Sequence, residues 1–174
     1  MAQGILGSAG PDNQFTYINK HYLPTKGSVL LNKIYWDTEK IQYRNNYCTS
    51  AYFTLLHETC HVLGIGCLWV FNNLLMHGPW YQTSSWWYSD FTTALYIGEN
   101  ALREYRIIQY RKHPGHGDLE GIPIENDGGV GTKGGHVEEG DSNHQRRYFD
   151  GVEHFGLDNE LMSGWMEGYP DRTP

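Results

Sequence analysis

HETCHVLGIG, from His57 to Gly66, is the stretch that decides the fold. It contains His-Glu-x-x-His. In a helix, residues four apart sit one turn apart on the same face, so the imidazoles of His57 and His61 can reach one zinc ion. Glu58 follows the first of them, where its carboxylate can reach a water on that ion. The residue types answer the chemistry: two neutral nitrogen donors and one base. Their spacing serves only if the segment is helical. Tyr52, Phe53, Leu55, Leu56, Cys60 and Leu63 supply apolar positions at helical spacing, and neither Pro nor Gly interrupts them before Gly64. Gly64 can take the left-handed conformation that ends a helix. Asn45 and Asn46 are candidate caps at the other end. The competing explanation is a buried amphipathic helix with its histidines satisfied in the core. The helical context and the glutamate between the histidines favour the metal.

Working outward, Gly4 to Lys26 carries Gly, Pro and Asn punctuation and reads as loop, with one short strand around Phe15 to Ile18. Ser28 to Trp36 (SVLLNKIYW) reads as a strand. Leu68 to Met76 is apolar and is expected to pack under or beside the site. Asn72 to Ser89 reads as surface loop with a turn at Gly78-Pro79. Phe91 to Ile97 is β-branched and aromatic. ENALREYRIIQYRK then places Ala101, Leu102, Tyr105 and Ile108 at helical spacing, and Lys112 to Gly117 ends that helix. Ile122 to Glu125 suits a short strand, and Asp127 to Gly140 is a Gly-rich loop holding His136. Neither a repeat nor a linker interrupts the 174 residues, so residues 1–174 are expected to form a single domain.

The net charge of −7 argues against a surface for nucleic-acid phosphates. The 13 Tyr and 6 Trp are read as packing rather than as a base-stacking platform. Trp69, Trp86, Trp87 and Trp165 could line subsites, although core packing explains each equally well. Three cysteines (Cys48, Cys60 and Cys67) make no disulfide framework. Cys60 falls on a different helix face from the histidines and is not read as a ligand. The N-terminus shows no signal peptide, and the most apolar run, Val62 to Phe71, is too short to span a bilayer.

A catalytic zinc takes three protein ligands and keeps one position for water. Cys67 stands where the short metzincin motif would place a third His, so the third ligand comes from further along. His77, His113, His116, His136, His144 and His154 are candidates, as are Glu99 and Glu104 in a thermolysin-like arrangement. His136 stands out because the flexible GTKGG before it lets the backbone curl under a metal. Glu138 and Glu139 after it either orient an imidazole or belong to a solvated loop.

HETCHVLGIGCLW, YIGENALREY, IPIENDGGVGTKGGHVEE and NELMSGW, in that order, resemble the blocks of leishmanolysin-like metzincin peptidases. GILGSAGP and LPTKGSVL add weaker similarity, so the resemblance spans almost the whole chain. It implies His57, His61 and His136 as zinc ligands, Glu58 as catalytic acid and base, and Met162 in a turn that floors the metal site. It also implies a metzincin-like α+β fold: a small twisted sheet packed on a zinc-binding active-site helix and a second helix, with a loop-rich C-terminal subdomain. The chain departs from the pattern at Val137, where the family often has Trp. The segment from His136 to Met162 is long and holds two further histidines, which keeps His154 open as the third ligand. Few strands precede the zinc helix, so a partner chain could complete the sheet edge. Without dense cysteines, the bacterial or viral branch is the better comparison.

The expected function is zinc-dependent endopeptidase, with a polypeptide substrate that can add a strand to a sheet edge. The rival from another class is a structural or interaction module of a larger assembly that keeps a metal site without turnover.

Overall fold

The computed structural model describes residues 5–34, 50–76, 94–112, 119–126, 131–139, 147–149, 152–154, 157 and 160–164. They form a small α+β fold with a few antiparallel strands and two helices, divided after Leu68 into two compact units.

The first unit is a long hairpin with a helix. Strand β1 (Gly7–Ile18) pairs antiparallel with β2 (His21–Leu31). Most of this segment was expected to be loop, with one short strand, and the structure corrects that. The Asn and Pro punctuation sits inside the strand as an irregularity: the register shifts between Pro11 and Gln14, and Asn13 takes a φ of 56°. A bulge admits such residues without ending the ladder. The strands are joined by Asn19 and Lys20, with φ of 50° and 69°, as a tight two-residue hairpin turn requires. Strand β2 ends at Leu31, so of the described part of SVLLNKIYW Ser28 to Leu31 is strand and Asn32 to Ile34 is not. Helix α1 (Ser50–Val62) packs against both strands.

The buried face of α1 is not its apolar one. Ala51, Thr54, Glu58 and His61 are buried, whereas Tyr52, Leu55, Leu56 and Leu63 are exposed. The motif side chains are turned inward, and the leucines follow outward because they lie on the other side of the same cylinder.

In the second unit, β4 (Leu95–Tyr96) is the middle strand between β3 (Leu75–Met76) and β5 (Ile122–Pro123). Helix α2 (Glu99–Lys112) coincides with ENALREYRIIQYRK. It buries Leu102, Tyr105 and Gln109, while Ala101 is exposed and Ile108 half-buried, so the inward stripe is rotated from the expected one. Leu102 and Tyr105 cluster with Leu119 and Ile122. Trp69 is a core residue of the second cluster, with Ala94 and Ile124, and its ring lies 4.8 Å from that of Tyr96. Strands β6 (Arg147–Phe149) and β7 (Val152–His154) form a short hairpin. Asn45, Asn46, Cys48, the Gly78-Pro79 turn, Trp86, Trp87 and Trp165 lie outside the described residues. Among the described residues, no helix is long and apolar enough to cross a membrane.

Candidate metal centre

Helix α1 ends in a capping turn that also sets the second histidine. The Gly64 N–H donates to the His61 carbonyl at 2.9 Å, and the Ile65 N–H reaches back to the Cys60 carbonyl at 3.1 Å. This is the double hydrogen bond of a Schellman motif, and it needs a left-handed residue at its corner. Gly64 supplies one, with a φ of 99°. The turn swings the Ile65 carbonyl over the helix end, where it accepts the His61 Nδ1–H at 2.9 Å. With the proton on Nδ1, the lone pair lies on Nε2, the atom a cation would take. Burial holds the His61 imidazolium down to a pKa of about 4, the Ile65 carbonyl partly opposes this, and the charge of His57 adds to it. His61 is therefore a neutral donor at neutral pH.

One turn back, the His57 ring meets the His61 ring edge-on at 4.7 Å, and the two Nε2 atoms stand 3.1 Å apart. Two nitrogens each about 2.0–2.1 Å from a tetrahedral zinc are separated by roughly 3.3 Å, close to this spacing.

His136 is positioned by a different device. Its segment lies between two others: Val137 bridges antiparallel to Ile124 and parallel to Ser163. The Val137 N–H donates to the Met162 carbonyl at 3.1 Å, the Glu125 N–H to the His136 carbonyl at 3.0 Å, and the Gly134 N–H to the Glu125 carbonyl at 2.8 Å. Gly131 and Gly134 take φ of 104° and 79°, which gives the curl expected of GTKGG. The loop returns on itself so that the Thr132 carbonyl accepts the His136 Nδ1–H at 2.7 Å. A backbone carbonyl thus does the orienting that Glu138 or Glu139 was a candidate to do. Glu138 is 3% exposed, so it does not belong to a solvated loop. A Cβ on Gly164 would collide with the Thr132 methyl and stand 3.6 Å from His136 Cγ, so this glycine leaves room for the His136 loop. Sequence reasoning missed Thr132 and Gly164, since neither carries a metal-ligand side chain.

The structure brings His57, His61 and His136 together, with one ligand atom from each lying within 4.8 Å of the others. The donor set fits a metal ion: His61 and His136 both commit Nδ1 to a carbonyl, which puts the lone pair of each ring on Nε2. Neither thermolysin-like alternative joins the group. Glu104 pairs with Arg103 at 3.0 Å on the surface, and Glu99 is exposed in the first turn of α2. His154 lies in β7, but its side chain is outside the described residues, as are His77, His113, His116 and His144.

Glu58 is 5% exposed, and its Oε2 is buried with no hydrogen-bond partner. Desolvation raises its carboxyl to about 7. Among the described residues Glu58 has no ion pair, and a group poised near neutrality suits proton transfer. Cys60 and Cys67 are free thiols. Burial, and then the charge of Glu58, push Cys67 up to about 11, so its thiol is protonated and is not a thiolate donor in this state.

Compared with family models, with curated proteins and with solved structures, the chain finds no match in any of the three.

Proposed function

We propose that this chain is a zinc-dependent endopeptidase of metzincin type. The observation that carries the reading is the convergence of three imidazoles, with the buried carboxylate of Glu58 next in sequence to the first of them. Imidazole donors suit several divalent ions, and three of them with an open fourth position suit catalytic zinc. Such an ion supplies Lewis acidity, lowering the pKa of a coordinated water to about 7 and polarising the scissile carbonyl.

The protein's own groups do the rest. His57, His61 and His136 would hold the ion, and the Ile65 and Thr132 carbonyls fix the tautomers of the last two. Glu58 takes a proton as the water attacks and delivers it to the leaving amine, as a group with a pKa near the working pH does best. Met162 joins the site through its backbone: its carbonyl holds Val137, next to His136. Its place in a metzincin Met-turn belongs to the proposal. The order of the blocks HETCHVLGIGCLW, GTKGGHVEE and NELMSGW supports the same reading.

The test is Glu58→Gln in the zinc-loaded chain, assayed on an unstructured polypeptide. The variant is expected to bind one zinc and to lose at least about 100-fold in kcat, the lower range for a positioned acid-base group. Full activity in that variant would overturn the assignment of the base. Zinc binding by a wild-type chain that cleaves nothing would move the reading to a metal-bearing module.

A further inference from the structure

The Glu58 carboxylate packs against a residue to which the proposed chemistry gives no part. A Cβ built on Gly7, the first residue of β1, would stand 2.5 Å from Glu58 Oε1 and 2.9 Å from its Cδ and Cγ. Carbon atoms do not approach so closely, so any side chain at position 7 must displace the glutamate. Gly10 on the same strand is different: its Cβ would meet Cys67 Sγ at an ordinary 3.6 Å. The glycine at position 7 therefore leaves the space that the end of the Glu58 side chain occupies.

The strand cannot back away from the carboxylate. Asn32 is 7% exposed and ties down the two residues before Gly7. Its backbone N–H donates to the Leu6 carbonyl and its Nδ2 to the Ile5 carbonyl, both at 2.8 Å. Its Oδ1 accepts the Ile34 N–H at 3.2 Å, which holds the amide plane. From Gly7 onward the ladder takes over, with Gly7 opposite Leu31. The backbone at Gly7 is thus fixed on both sides. Glu58 Oε2 has no hydrogen bond to hold it, so the position of that oxygen is set by what the side chain packs against.

We infer that Gly7, pinned by Asn32, is a positioning residue for Glu58: the absent side chain leaves the volume in which the carboxylate sits, one residue from the His57 ligand. The effect on turnover rests on the proposed hydrolysis; the packing does not.

The experiment compares Gly7→Ala with Gly10→Ala on the full chain, using two readouts. The first needs no activity. In thermal unfolding of the metal-free protein, Gly7→Ala is expected to lower Tm by about 5 °C, as overpacking of a tight site does. In a Glu58→Ala background, or with Glu58→Asp one methylene shorter, most of that loss should vanish, because the room has been returned. Gly10→Ala should cost the same small amount in every background.

The second readout is kinetic. With zinc bound, Gly7→Ala should lower kcat about 100-fold, the scale of a displacement near 1 Å, while zinc affinity and KM stay within about threefold. Gly10→Ala should leave kcat unchanged. Equal Tm losses with and without the Glu58 side chain overturn the inference, and so does full kcat in Gly7→Ala. If the Tm coupling appears but the wild-type chain hydrolyses nothing, the packing stands and the hydrolytic reading fails, so the two are told apart.

Discussion

Gly64→Ala separates the two tasks assigned to the turn after α1: ending the helix and aiming His61. The φ of 99° is unfavourable for any residue with a Cβ, at about 1–2 kcal/mol. The added methyl would also stand 2.8 Å from Leu68 Cδ1 and 3.2 Å from its Cγ, and Leu68 is 3% exposed, so relief requires the core to move at about 1 kcal/mol more. Together these destabilise the fold by roughly 2–3 kcal/mol, or about 4–12 °C in Tm for a chain of this size. A mere loss of stability would end there. The Ile65 carbonyl, however, is placed by that turn and accepts the His61 Nδ1–H. Its displacement should weaken zinc binding about 10–100-fold, the usual cost of losing the partner that orients a ligating imidazole. Competition against a chelator of known affinity, at a temperature where the variant is still folded, measures this directly. A variant with the expected fall in Tm and wild-type zinc affinity would refute the claim that the cap aims the ligand.

Three further outcomes follow from the site. His136→Ala should lower zinc affinity by more than about 100-fold, since it removes a donor rather than its support, while Glu99→Gln should leave it unchanged; chelator competition on the pair checks both. Thr132 orients His136 through its carbonyl, so Thr132→Ala, which keeps the backbone, should retain zinc affinity within about threefold, whereas a Thr132→Pro loop distortion should not. The pH dependence of the metal-free protein carries two opposed contributions. His61 is lowered from 6.5 to about 4, so its share of stability is complete above pH 6.5 and is lost as pH falls towards 4. Glu58 is raised from 4.5 to about 7, so its share is present below pH 4.5 and is lost as pH rises through 7. Glu58→Gln should therefore gain Tm relative to wild type as pH goes from 5 to 8, and a constant difference across that range would contradict the burial of the charge.

Helices α1 and α2 were legible in the sequence because a 3.6-residue pattern and a terminating glycine are local signals. GTKGG before His136 was legible for a similar reason, since Gly131 and Gly134 do take positive φ. The hairpin was not, because the Gly, Pro and Asn between Gly4 and Lys26 read as loop when taken in sequence. Only the partner strand shows that the ladder resumes at Gln14. The grouping of His136 with the helix histidines also lay beyond spacing, since a residue 75 positions after His61 arrives through tertiary structure. The orienting groups were the least legible of all: the Ile65 and Thr132 carbonyls belong to every residue type, so only the turns that aim them distinguish these two.

Helix α1 turns Thr54, Glu58 and His61 inward and its leucines outward. It therefore lacks the oily stripe that ordinarily fastens a helix to its neighbours. A cation shared by His57, His61 and His136 would act as that fastener, adding about 4 kcal/mol when free metal exceeds its dissociation constant a thousandfold. Stripping the ion should then loosen this one segment ahead of everything else, visible as amide protons of α1 exchanging with deuterium while those of α2 stay protected.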